Sequence, residues 1–254
     1  MACLVYTKIC IVIKKIKLNE ADLILEVVGE DGALLRFVAK SARKPGNTFS
    51  NRLELCNVAR VTCAKCKGLD IVREVRVISQ RGGLRANYIK FVCACTILEL
   101  SQKLCLEDKT NSVTFEFLSK TIDVLETCDD EYALIILVAA LIKFVSIEGL
   151  KPELSMCLNC RSSVDLKNTY STFFSFKSGG VVCDDCAEES DYEFYSTSII
   201  TLKKLLDMTY DEILKYSFEL NSEDYADIFD ILDKWIMYYV NYSIKSLKLL
   251  YRLV

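Results

Sequence analysis

The first eighty positions carry apolar and polar residues in short, partly alternating runs rich in β-branched side chains. These are TKICIVIKKIK (residues 7–17), DLILEVVG (22–29), ALLRFVAK (33–40), LCNVARVTC (55–63) and LDIVREVRVI (69–78). A period near two predicts five strands, because successive side chains of a strand face opposite sides and only one side need be apolar. GEDG (Gly29–Gly32) has the composition of a hairpin turn between the second and third strands, and AKCKG (Ala64–Gly68) of one between the fourth and fifth. Between the third and fourth lies a long polar loop, SARKPGNTFSNR (41–52). Five strands over this length fit a small antiparallel barrel of the OB type, in which closing the sheet removes its unpaired edges.

From Leu84 the period lengthens. LRANYIKFVCACTILELSQKLC (84–105) predicts one long helix with Leu84, Tyr88, Phe91, Cys95, Leu98 and Lys103 on roughly one face. Further helices are expected at 113–127, 130–148, 197–216 and 222–243. The longest apolar run, Tyr132–Ile147, is broken by Lys143 and falls short of the about 20 residues a membrane span needs, so it reads as a buried helix. No repeat of fixed period and no low-complexity tract appears. The predicted architecture is an α+β multidomain chain: an OB-fold barrel over 1–80, then an α-helical domain over 81–254 interrupted by a cysteine-rich segment, 155–190.

Composition sharpens this outline. Hydrophobic residues make up 52% and charged residues 26% of 254, enough for both a core and a solvated surface. Thirteen cysteines with no export signal in the opening residues point to a reducing, cytoplasmic setting, and the odd number argues against a full disulfide framework. The absence of histidine excludes Ser-His-Asp triads, Cys-His nucleophiles and imidazole acid–base chemistry.

The net charge of −3 hides a division. Residues 1–92 hold 17 basic and 8 acidic side chains, whereas 93–254 hold 15 basic and 27 acidic. Over 36–90 the imbalance is 13 to 3, the acids being Glu54, Asp70 and Glu74. An asymmetry of this size predicts a polyanion as partner of the basic part. The rival reading, a solvated face, would mix the signs.

The second segment of interest holds Cys157 and Cys160, then Cys183 and Cys186, with 22 residues between the pairs. A Cys-x-x-Cys pair sets two thiolates about one turn apart, and two pairs complete a tetrahedron at Zn–S distances of about 2.3 Å. STFFSF (171–176) is strand-like, and SGGVVC (178–183) places two glycines where a tight turn would bring backbone amides toward the sulfurs. A thioredoxin-like reading needs a βαβ setting, which is missing. One structural Zn2+ in a four-cysteine ribbon is therefore expected, a filled site with no open position for catalysis. Cys63 with Cys66, and Cys93 with Cys95, lack matching partners and read as buried or idle thiols.

At this point the chain resembles the RecO family of bacterial recombination mediators. The resemblance rests on NEADLILEVVGEDGALLRFVAKSARKP (19–45), similar to a family stretch with an acidic pair, a turn and a basic loop. It extends through GLDIVREVRVI (68–78), LRANYIKFVCACTILELSQKL (84–104), FVSIEGLKPELSMCLNC (144–160), FSFKSGGVVCDDC (174–186) and NYSIKSLKLL (241–250). Ser41 stands where the family often has Gly, and Lys44 where it often has Arg. Some members lack the zinc cysteines, which implies a scaffold role for the metal.

The resemblance implies a cytoplasmic, nucleoid-associated, non-enzymatic protein of DNA repair. It would bind single- and double-stranded DNA, anneal complementary strands, bind RecR, and help RecA load onto DNA coated by single-stranded-DNA-binding protein, whose acidic, apolar-tipped tail the helical domain would receive. The residues agree with such a mechanism. Only Tyr6, Phe37 and Phe49 are aromatic within 1–80, too few to stack a strand base by base, whereas Lys and Arg grip phosphates and leave base edges free. The expected contacts are Lys40, Arg43, Lys44 and Arg52 in the long loop, Lys65 and Lys67 on the hairpin tip, and Arg73, Arg76 and Arg85 extending the track. Rival readings are an OB-fold RNA-binding protein, a zinc-ribbon enzyme built on the carboxylates of CDDCAEESDYE (183–193), whose simpler reading is a solvated loop, and a structural adaptor.

Overall fold

The alternation in the first eighty residues folds as it reads. A computed structural model of the protein describes residues 4–107 and 109–251. The strands are β1 (Val5–Lys17), β2 (Leu23–Gly29), β3 (Leu34–Ala39), β4 (Val58–Ala64) and β5 (Asp70–Ser79), with a single helical turn, α1 (Phe49–Arg52), between β3 and β4. They close in the order β1-β2-β3-β5-β4. β1 serves two neighbours: its first half pairs with β4 and its second with β2, and a register shift between Val12 and Lys14 bends it between the two. Closure is completed by a short parallel contact, Phe37 opposite Asp70 and Val38 opposite Ile71. The inward positions, among them Cys10, Val12, Leu25, Val27, Phe37, Val61 and Val75, form the barrel core. Each such side chain, once fully buried, contributes about 1.5–3 kcal/mol.

The chain divides into two compact units, Met1–Thr127 and Cys128–Val254. Beyond the barrel, the first unit contains α2 (Gly82–Ala86), α3 (Tyr88–Leu104) and α4 (Ser112–Thr127). The single helix expected from Leu84 is thus two. Asn87 leaves the helical region, at φ −109° and ψ 116°, and its side chain accepts from Lys90 N, ending α2 and capping α3. The expected face holds only in part: Leu84 and Leu98 are buried and Phe91 and Cys95 half-buried, but Tyr88 is 62% exposed, Lys103 lies outside, and Val92, Cys93, Ile97 and Leu100, not on that face, are buried.

In the second unit, a 3-10 turn (Asp130–Tyr132) leads into α5 (Ala133–Ile147), which is buried along most of its length. Lys143 sits half-buried and donates to Leu206 O at 2.7 Å, and burial lowers its pKa. Among the described residues no helix is long and apolar enough to cross a membrane. A three-stranded sheet follows, β7-β6-β8, built from β6 (Ser171–Ser175), β7 (Gly180–Val182) and β8 (Tyr192–Tyr195). Then come α6 (Ser196–Asp207), α7 (Tyr210–Ile213), α8 (Ser222–Val240) and α9 (Leu247–Leu250). The helix expected over 197–216 is interrupted where Thr209 forms a capping box with Glu212 and restarts the helix.

Candidate nucleic-acid interface and candidate metal centre

Strand register decides where the basic loops emerge. The end of β3 pairs with the start of β2 (Ala39 opposite Leu23) and with the start of β5 (Phe37 opposite Asp70). The β1–β2 loop and the loop after β3 therefore leave from the same end, whereas the β4–β5 tip, which precedes a strand parallel to β3 and lies beside the start of β1, leaves in the opposite direction from the short β3–β5 seam. Lys40, Arg43 and Lys44 on the long loop and Lys65 and Lys67 on the tip are all exposed, the two groups flanking that seam.

Hydrogen bonds fix these loops. Asp22 accepts from Ser41 N at 2.7 Å and from Asn19 Nδ2 at 2.9 Å. These bonds, first of all the Ser41 amide, hold the Asp22 carboxyl below its usual range, with Lys40 and Lys44 adding to the effect. The Arg43 guanidinium donates to Asn19 O, and its backbone N to Ala21 O at 2.9 Å. On the tip, Asp70 accepts from Cys66 N at 2.9 Å and from the Tyr6 hydroxyl. Carboxylates near this interface are thus occupied in holding the loops that carry the cations.

Along β5 the picture differs from residue to residue. Arg73 is the extra residue of a register shift, since Thr62 faces Glu74 while Cys63 faces Val72, and the bulge turns it outward. Arg52, in α1, donates to Val75 O at 3.1 Å and stays exposed. Arg76 is exposed and its Nε donates to Glu74 at 2.8 Å. Arg85 is half-buried and donates to Leu55 O and Asn57 Oδ1, so its guanidinium braces the barrel. Arg60 on β4, absent from the sequence-based set, is exposed and faces Arg76 across the sheet. Only strand register reveals this pairing, and register is not written locally in the sequence.

The three aromatic residues of the barrel are occupied elsewhere. Phe37 is buried, while Tyr6 and Phe49 pack against the core. The basic face therefore carries no exposed ring among the described residues.

Ser41 has a φ of +56°, a left-handed conformation that favours glycine. Ser41→Gly is expected to leave stability unchanged or raise it by up to about 1 kcal/mol, and Ser41→Val to lower it by about 1–2 kcal/mol, measured as urea midpoints.

The second site is a cluster of sulfurs. The Sγ atoms of Cys157, Cys160, Cys183 and Cys186 all lie within 4.8 Å of one another, and Cys160 Sγ is 3.6 Å from Cys183 Sγ. A tetrahedron with bonds of about 2.3 Å has edges of about 3.8 Å, so the spacing suits a single ion held by four thiolates. The twelve described cysteines are all free thiols, and these four are the only metal-capable group found among the described residues. Cys63 is buried in the barrel core, whereas Cys66 is exposed on the tip.

The electrostatics suit a cation. Burial opposes the Cys157 thiolate, but amide hydrogen bonds from Cys160, Cys183 and Asn159 outweigh it and bring the pKa down to about 6. The Ser162 hydroxyl and amide lower Cys160. Cys183 is raised by desolvation and by its sulfur neighbours, and Cys186 is pushed up to about 12 by hydrogen bonding with Cys183 and Cys160. Four thiols competing to ionise in one small volume become four thiolates only when a cation neutralises them.

Gly179, at φ +100°, closes the expected tight turn between β6 and β7, with its N donating to Ser175 O at 2.9 Å, while Gly180 meets a further demand. A Cβ on Gly180 would lie 2.1 Å from Glu153 O, so this position must be glycine for the Glu153 strand to pass. The ribbon also has an aromatic core: Phe174 and Phe176 pack against Phe194 and Trp235. Finally, CDDCAEESDYE is not wholly a loop, since Asp184–Cys186 is a 3-10 turn and β8 starts at Tyr192.

Two family profiles match the chain: one described as "Recombination protein O N terminal" over residues 1–81, the other as "Recombination protein O C terminal" over 85–248. Among curated relatives, the DNA repair protein RecO of Dehalococcoides mccartyi strain 195 is 31% identical over 182 residues, covering 69% of this chain and 68% of its own. That of Trichodesmium erythraeum is 25% identical over 264 residues, covering 94% and 91%. That of Bifidobacterium adolescentis is 27% identical over 252 residues, covering 94% and 96%.

Proposed function

The chain belongs to the RecO family of DNA repair proteins, and from that premise we propose that it is a non-enzymatic strand-annealing mediator. Its barrel, read as an OB fold over 1–80, holds single- and double-stranded DNA by the phosphates. The helical part, 81–254, serves protein partners: RecR, the tail of single-stranded-DNA-binding protein and, indirectly, RecA. One Zn2+ on Cys157, Cys160, Cys183 and Cys186 fixes the ribbon and takes no part in chemistry.

One observation carries the DNA reading: exposed cations stand on two loops that flank the short β3–β5 seam, while Phe37 is buried and Tyr6 and Phe49 are partly buried against the core. Proteins that hold single strands by stacking present rings beside their cations. A ring-free cationic surface restrains the backbone and leaves the Watson–Crick edges available to a second strand. The proposed contacts are Lys40, Arg43, Lys44, Arg52, Lys65, Lys67, Arg73 and Arg76. Arg85 now ranks below them because its guanidinium is committed to Leu55 and Asn57.

The test is annealing of complementary oligonucleotides coated with single-stranded-DNA-binding protein, with matched RNA as comparison. Faster annealing of DNA supports the reading, and a preference for RNA favours the rival OB-fold RNA-binding function. With about six phosphates neutralised, log K for single-stranded DNA is expected to fall against log salt with a slope near −4. Titrations between 50 and 200 mM salt, on the order of the range over which such effects are large, measure it. A slope near zero would remove the electrostatic basis of the proposal.

A further inference from the structure

We infer that Arg60 and Arg76, facing each other on the outer surface of β4 and β5, form a clamp for a single phosphodiester group of the nucleic-acid backbone. The inference rests on the phosphate-binding reading of the barrel and adds to it a place and a residue.

In the antiparallel β4–β5 ladder Arg60 is directly opposite Arg76. Opposed residues on one face have Cβ atoms about 4.5–5.5 Å apart, and like charges in that relation oppose folding. Both side chains are exposed. Among the described residues no carboxylate neutralises Arg60, whose other cross-strand neighbour is Ile9 on β1. Arg76 uses Nε on Glu74 and has no other hydrogen bond among the described residues. Two guanidiniums are thus held side by side with most of their donors pointing to solvent, an arrangement that folding disfavours and a bound anion would favour.

The chemistry selects a phosphodiester. Its two non-bridging oxygens can each accept a forked pair of N–H groups, and one negative charge between two guanidiniums turns a repulsive contact into an attractive one. The position fits the interface already described. Arg60 is four residues from Ala64 at the end of β4, about 13 Å from the tip that bears Lys65 and Lys67. Next to the arginines on the same face, Thr7 and Thr62 place paired hydroxyls at 3.1 Å.

The experiment uses the full-length protein with a fluorescent single-stranded oligonucleotide, comparing Arg60→Ala, Arg76→Ala, the double variant and Arg60→Lys. Expected for Arg60→Ala is roughly tenfold weaker binding at low salt, a salt slope shallower by about 0.7, and an unchanged or higher melting temperature without DNA. The double variant should bind little worse than either single one, because both arginines hold the same group. Arg60→Lys should restore the slope but only part of the affinity, since it returns the charge without the fork. Unchanged affinity in Arg60→Ala, additive losses in the double variant, or weaker binding matched by a lower melting temperature would each overturn the clamp. If the clamp variants lose affinity while charge reversal in the long loop does not, the clamp stands and the loop assignment fails.

Discussion

Replacing Cys183 by Ser is expected to strip the metal from the protein and melt both knuckles while leaving the barrel and the long helices folded. The serine hydroxyl does not ionise at neutral pH, so the site keeps three sulfurs and loses the fourth negative charge that offsets a divalent cation. In isolated zinc peptides the metal contributes on the order of 10 kcal/mol, and folding fails outright without it. Here part of that dependence is taken over by the packing of Phe174 and Phe176 on Phe194 and Trp235, which does not involve sulfur. The loss should therefore be local.

The segments held mainly by the sulfurs are the two turns, tied together by Arg161 N to Cys157 O at 2.9 Å, Asn159 Nδ2 to Cys186 O at 3.3 Å and Cys186 N to Cys183 O at 2.9 Å. A loss of about 3 kcal/mol would lower the melting temperature of this unit by roughly 10 °C. Metal content by atomic emission after dialysis against a chelator should fall from about one ion per chain to near zero. Amide exchange should accelerate at 155–165 and 183–191 and stay slow in α5. A variant that is metal-free yet melts like the parent would show that no metal holds the ribbon. Annealing is expected to persist, because the proposed DNA contacts all lie in the other compact unit.

The parts of the molecule that could be read in advance are those where one local rule governs. The five strands are dictated by alternation, and their observed ends differ from the expected ones by a few residues. The four thiols are dictated by spacing, because Cys-x-x-Cys brings two sulfurs to one point whatever the remainder of the fold does. Reading failed where a single residue overrides a period. Asn87 and Thr209 each offer a side-chain acceptor to the backbone, and each divides what an apolar count joins into one helix. It failed again where a side chain's role depends on its cross-strand neighbour: Arg60 and Arg85 are equally basic in the sequence, yet one faces another arginine and the other braces Asn57. The glycine at 180 shows the same limit, since the segment that needs its missing side chain, around Glu153, lies far away along the chain.

Reversing charge at Arg43 and Lys44 together should abolish annealing. Bringing one positive charge to about 4 Å from a phosphate in water is worth about 1 kcal/mol, so reversing it changes the interaction by about 2 kcal/mol per position. Two reversals then weaken binding by roughly a thousandfold at low salt. The salt slope should flatten from near −4 to about −3 or less, because two fewer counterions are displaced. Annealing falls further than affinity, since it requires both strands to be held with bases exposed.

The two residues are not equivalent, and the difference supplies the control. Arg43 also ties the long loop to the β1–β2 loop through Asn19 O, so a change there loosens the loop as well as altering its charge. Lys44 has no side-chain hydrogen bond among the described residues, and its side chain touches the loop only through the field of Asp22. Lys44→Glu combined with Lys67→Glu, on the separate hairpin tip, reverses as much charge without cutting that tie. If this second pair flattens the slope as much as the first, the effect is electrostatic and the two loops act on one strand of phosphates. If only the Arg43 pair fails to anneal, the loop's shape matters and its charge does not, and the phosphate assignment of Lys44 and Lys67 is wrong. Equal affinity of parent and both variants would remove these loops from the interface altogether.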